Sequence, residues 1–136
     1  MASLLYKYSF TTRLYDIDAA GVVFFARFLY FAHDAYETFL EHHKQSVKNI
    51  LNSDFILPIC HTEADFKTPV FLNESITIEI SLQDINETEF TLSYHFLDKA
   101  KKLRATALTK HVCVDKNMFS RKTLPHSIRS LLNSGS

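Results

Sequence analysis

At 136 residues the chain has the length of one domain able to bury a core, and 1–136 is read as a single domain. Fifteen basic against fifteen acidic residues leave zero formal net charge, which excludes a general attraction to nucleic acid or to an anionic membrane. Two glycines are too few for dinucleotide or phosphate-binding loops, and no G-x-S-x-G elbow exists for serine-based hydrolysis.

Twelve Phe and six Tyr with no Trp give the composition an unusual weight of rings, which serve cores and subunit interfaces. The N-terminus lacks a basic stretch followed by an apolar core and cleavage site, and no apolar run reaches membrane-spanning length. A soluble, cytoplasmic protein without a membrane partner is expected. Cys60 and Cys113 lie far apart without CxxC spacing and read as buried free thiols.

Along the chain, Tyr6 to Tyr15 alternate as a first strand. Extended geometry carried through Asp16-Ile17-Asp18 would put both carboxylates on one face. Gly21 is the one internal glycine, so a turn is expected there. Phe28, Phe31, Ala32, Ala35, Tyr36 and Phe39 then recur at helical spacing, the apolar stripe of a buried helix from about Ala26 to Leu40. His42 and His43 point in different directions on a helix and have no third ligand at metal spacing, so they read as a solvated helix end. Ser46 to Leu51 form a short helix or irregular turn.

Four strands follow: Phe55 to Phe66, bent off by Lys67-Thr68-Pro69; Ser75 to Leu82; Phe90 to Phe96; and Leu103 to Val114. Short polar turns between them imply an antiparallel meander. Pro125 to Leu132 is a C-terminal helical turn, and residues 133–136 are expected to be a disordered tail. The fold class is therefore α+β, a curved five-stranded antiparallel sheet wrapped around one long helix. Its exposed edges suit pairing into a homodimer.

The first amides of a helix lack intrahelical acceptors and, with the helix dipole, cradle an oxygen that carries negative charge. Donors near Phe24 and Phe25 can polarise a carbonyl, and a carboxylate a few residues upstream can serve as general base or nucleophile. These parts suit acyl transfer. On spacing alone, the ordinary role of Asp in caps and turns outweighs catalysis.

Tyr15-Asp16-x-Asp18-x-x-Gly21-Val22-Val23-Phe24 feeding a helix, with Phe28, Glu37 and Asp65-Phe66-Lys67-x-Pro69, resembles the hotdog-fold acyl-CoA thioesterases of the 4-hydroxybenzoyl-CoA thioesterase family. Within it, the segments 20–25, 33–37, 57–61 and 111–113 are similar to those of the cyanobacterial 1,4-dihydroxy-2-naphthoyl-CoA thioesterases of phylloquinone biosynthesis. The resemblance implies a hotdog fold and a homodimer assembling to a homotetramer. It makes Asp18 the catalytic carboxylate and the backbone N–H of Phe25 the donor to the thioester oxygen. It implies neither metal nor cofactor, coenzyme A being part of the substrate.

Asp16 and Gly21 then support the turn. Phe24, Phe25, Phe28 and Tyr36 are candidate walls for a flat aryl group, and His61 a candidate partner for an aryl hydroxyl. Lys67, Lys101, Lys102, Arg104, Arg121 and Lys122 are available to coenzyme A phosphates. The alternatives are a thioesterase for other short or aromatic acyl-CoAs and a non-catalytic acyl-CoA-binding module. A hotdog dehydratase is disfavoured, because no His stands in the Asp18 segment.

Overall fold

The structure, a computed structural model, describes residues 3–45 and 47–134. Its main sheet has five antiparallel strands: β1 (Ser3–Thr11), β3 (Ile59–Phe66), β4 (Ser75–Ile85), β5 (Glu89–Leu97) and β6 (Leu103–Val112), in the order β1-β4-β5-β6-β3. Only β4, β5 and β6 form the expected meander. β3 instead lies at the far edge against β6, with Thr62 opposite Thr109. The residues 67–74 between β3 and β4 carry the chain across to the position beside β1. Alternation reports which face of a strand is buried and is silent on its neighbour.

Two expected strands are each divided. Phe55 to Phe66 breaks at Leu57-Pro58 into β2 (Phe55–Ile56) and β3. Leu103 to Val114 breaks at Cys113, whose N–H donates to Thr88 O (2.8 Å), into β6 and β7 (Val114–Asp115). β2 and β7 pair as a small second sheet.

One face of the main sheet holds the core. Ile76, Ile78 and Ile80 of β4, and Phe90, Leu92, Tyr94 and Phe96 of β5, are all buried with alternate partners half-exposed, the period of two of a one-sided sheet. Against them lies α1 (Arg27–His42), 16 residues long, which buries Phe28, Phe31, Ala32, Ala35, Tyr36, Phe39 and Leu40. This is the stripe expected from the sequence, with the helix starting one residue later and ending two later. The other helices are short: α2 (Val47–Leu51) and α3 (His126–Leu132), the latter burying Ile128, Leu131 and Leu132. No helix among the described residues is long and apolar enough to cross a membrane.

Three expectations are corrected. β3 is exposed along nearly its whole length, Cys60 with it, whereas Cys113 is buried and its thiol pKa is raised by that burial. An edge strand has nothing on its open side to cover it. Asn133 and Ser134 are docked rather than loose: Asn133 N–H donates to Arg129 O (3.1 Å) and the Ser134 hydroxyl to Leu131 O (2.5 Å). Gly135 and Ser136 lie outside the described residues. The first strand ends at Thr11, and Leu14–Asp16 forms a 3-10 turn instead of extended chain.

Candidate active site

The 3-10 turn sets the roles of the two acids. Asp16 N–H donates to Arg13 O (2.9 Å), while the Asp16 carboxylate accepts Arg13 N–H (2.8 Å) and, from the start of α1, the Arg27 Nε–H (2.8 Å) and an Arg27 Nη at 2.8 Å. Asp16 is 2% exposed. A buried carboxylate is tolerated when paired and hydrogen-bonded on this scale. Its backbone carbonyl also accepts Phe24 N–H (2.8 Å), so it ties the turn to the helix entrance.

Asp18 has a different setting. The turn after it is closed by Gly21 N–H to Asp18 O (3.0 Å) and by Asp18 N–H to Val22 O (2.9 Å). Gly21 sits at φ +82°, a conformation that side chains resist and glycine adopts freely. One carboxylate oxygen of Asp18 accepts Ala20 N–H (2.8 Å), an Asx-turn bond. Among the described residues the carboxylate has no cationic partner, and it faces a cleft. The two acids thus do not share one face as extended geometry would require: one is locked beneath the turn and the other is presented to a cavity.

That cleft, of about 370 Å³, is walled on one side by Val22, Val23, Phe24, Phe25 and Phe28, and on the other by Phe66, Lys67, Thr68, Pro69 and Val70. Four rings cluster along it. Phe24 and Phe25 are 4.8 Å apart at T-shaped geometry, Phe28 is 5.1 Å from Phe66, and Phe25 is 6.5 Å from Phe66. A Val23 N–H to Val70 O bond (2.8 Å) joins the walls. The amides of Phe25 and Ala26, in the turn just before α1, have no acceptor among the described residues, while those on either side of that turn are spent: Phe24 on Asp16 O and Arg27 on Phe24 O (2.9 Å). A free donor beside a helix N-terminus is where an oxyanion is stabilised.

Asp18, Phe24, Phe25 and Phe28 therefore come together, with Gly21 in the turn and Asp16 beneath it. Tyr36 does not join them. It packs inside the core with its ring 4.6 Å from His111, and burial raises its hydroxyl pKa far above the ordinary range. His61 stands exposed on β3 and pairs with Glu63 at 2.9 Å, outside the cleft lining. Its placement follows from β3 being an edge strand. Of the basic residues considered for phosphate, Lys67 lines the cleft, whereas Arg104 is buried among acceptors. Phe66 and the Thr68-Pro69-Val70 wall are not among the site residues expected from the sequence; their signal there is the Asp65-Phe66-Lys67-x-Pro69 step, which carries the family resemblance without assigning a role to any of them.

Residues 12–132 match the thioesterase-like superfamily, and the chain belongs to it. Among its relatives, a 1,4-dihydroxy-2-naphthoyl-CoA hydrolase of Crocosphaera subtropica is 38% identical over 130 residues, covering 93% of this chain and 95% of that one. The protein of the same name from Nostoc punctiforme is 36% identical, covering 90% of this chain and 83% of that one. Among solved structures, a 1,4-dihydroxy-2-naphthoyl-CoA thioesterase from Synechocystis superposes with a TM-score of 0.90 at 29% identity, covering 95% and 96% of the two chains.

Proposed function

We propose that the chain hydrolyses an aromatic acyl-CoA thioester, 1,4-dihydroxy-2-naphthoyl-CoA, in phylloquinone biosynthesis. Its relatives are hydrolases of that substrate by name. The observation that carries the mechanism is the unpaired Phe25 amide in one cleft with an acid that has no cationic partner. The thioester oxygen sits on that amide, and α1 is the helix around which the sheet curves. As the carbonyl carbon becomes tetrahedral, negative charge moves onto this oxygen; one such donor is worth about 3 kcal/mol in the transition state.

Asp18 supplies the other half. As nucleophile, its free oxygen bonds to the carbonyl carbon, the sulfur leaves as the coenzyme A thiolate, and water opens the resulting mixed anhydride. As general base, it takes a proton from the water that attacks directly. Either route yields a carboxylate and a thiol. The ring cluster of Phe24, Phe28 and Phe66 supports a flat aryl group, and no metal or cofactor is needed for the step. We further propose a homodimer, for which the open edge of β3 offers a pairing surface, assembling to a homotetramer of a cytoplasmic protein.

Free-thiol release from a panel of acyl-CoAs tests this reading. The native protein is expected to turn over the naphthoyl thioester, with kcat for Asp18→Asn lower by about 100-fold or more. Binding without turnover by the native chain would make it an acyl-CoA-binding module, and turnover of short aliphatic thioesters alone would remove the naphthoyl assignment.

A further inference from the structure

Arg104, on β6, is 8% exposed. A guanidinium has five N–H donors, and here each has an acceptor. Nε–H donates to the Thr68 hydroxyl (2.6 Å); one Nη donates to Glu74 Oε1 (2.8 Å) and Asp98 Oδ2 (3.2 Å); the other donates to Pro69 O and to Glu74 Oε2 (3.2 Å). The Arg104 carbonyl in turn accepts the N–H groups of Lys67 (2.9 Å) and Thr68 (3.2 Å). One residue therefore holds Lys67, Thr68 and Pro69, three consecutive members of the cleft wall.

Its acceptors are themselves fixed. Asp98 Oδ1 accepts Ala100 and Lys102 N–H, each at 2.9 Å, and Glu74 Oε2 accepts Phe71 N–H at 2.7 Å. The Thr12 hydroxyl donates to Phe71 O (2.6 Å) and accepts Glu74 N–H (3.0 Å). Between these anchors Val70 passes the constraint across the cleft, since its carbonyl accepts Val23 N–H from the opposite wall. With no donor left over, Arg104 is not available to bind phosphate.

We propose that Arg104 is a positioning residue that fixes the spacing between the Phe66–Val70 wall and the Asp18–Phe25 turn, and with it the preference for a flat aryl acyl group over a small aliphatic one. The inference rests on the thioesterase reading above. An aryl group fills the space between two apolar walls and loses contact if they separate, whereas a butyryl group spans too little of the slot to register the change. Lysine cannot substitute, because it keeps the charge between Glu74 and Asp98 but has no rigid fork to reach Thr68 and Pro69 as well.

The test compares native protein with Arg104→Lys, and with Thr68→Val, which removes one hydrogen bond, in case the lysine variant does not fold. The ratio of kcat/KM for 1,4-dihydroxy-2-naphthoyl-CoA to that for butyryl-CoA is independent of the folded fraction. It is expected to fall by about tenfold in Arg104→Lys and by less in Thr68→Val. Hydrogen exchange of the Val23 amide is expected to quicken by about tenfold while that of Leu92 in β5 is unchanged. A ratio held within about twofold, or an unaltered Val23 amide, would overturn the proposal. A native protein inactive on both thioesters would instead overturn the thioesterase reading, and the aryl preference would fall with it.

Discussion

Acidification is expected to weaken the fold through one side chain, His111. Its ring is fully buried, lies flat on Phe90 (4.7 Å, 7°) and packs against Tyr36 of α1 (4.6 Å). The hydrogen-bond chain around it closes only for the neutral ring. Nδ1–H donates to Leu57 O (3.4 Å), Nε2 accepts the Thr109 hydroxyl (2.9 Å), and Thr109 accepts the Tyr94 hydroxyl (2.8 Å). A second ring proton would make Nε2 a donor to Thr109 and leave one of the Thr109 and Tyr94 hydroxyl protons without an acceptor. Burial accordingly pushes the His111 pKa down to about 4; His33 adds to that, and the Leu57 carbonyl opposes it. The sign follows. The unfolded chain takes up this proton near pH 6.5, and the folded chain does so only near pH 4, so stability falls as pH drops through that window and is unaffected by this group above it. By pH 5 the loss is about 2 kcal/mol. Urea unfolding at pH 7.5 and pH 5.0, for native protein and His111→Gln, isolates the effect because the remaining groups titrate in both. Equal pH dependence in the two proteins would refute the reasoning.

Two further substitutions separate backbone from side-chain effects at the site. Gly21→Ala adds a Cβ with nothing within 4 Å of it at φ +82°, so its cost is backbone strain alone, about 1 kcal/mol, read as a small drop in the thermal midpoint. A loss above about 3 kcal/mol would mean that the turn does more than reverse the chain. Phe66→Ala removes a ring that is 49% exposed and 5.1 Å from Phe28. Stability should change little, while KM for the naphthoyl thioester rises about tenfold; an unchanged KM would place the aryl group elsewhere.

Periodicity exposed the helix and most strands because both are repeats of burial. Phe28 to Phe39 could hardly be read otherwise, and the inward residues of β4 and β5 follow the period of two. Pairing is a different kind of information. Nothing local in Ile59–Phe66 says that it lies against β6 rather than β4, because that choice is made by the crossing segment and by the core those strands close. Tyr36 illustrates the same limit: its place on the apolar stripe was legible, but not that the stripe turns it toward His111 rather than toward the cleft.

The two acids show what remained hidden and why. Asp16 and Asp18 have the same side chain two residues apart, and an extended chain would have made them equivalents. The difference arises from Arg27, eleven residues on, whose guanidinium reaches back to Asp16 and also lies 5.1 Å from the Tyr30 ring centroid. With that pairing, the buried acid is neutralised and the 3-10 turn is fixed to the first turn of α1. The chain then has to reverse at Gly21 before it enters the helix, and Asp18 and Phe25 both come to line the cleft. That a carboxylate without a cationic partner and an amide without an acceptor line one cleft therefore goes with the neighbouring acid having taken the cation. Replacing Arg27 would leave Asp16 a buried carboxylate without its cation beneath the turn that carries Asp18, so the ion pair supports the site even though neither partner lines the cleft.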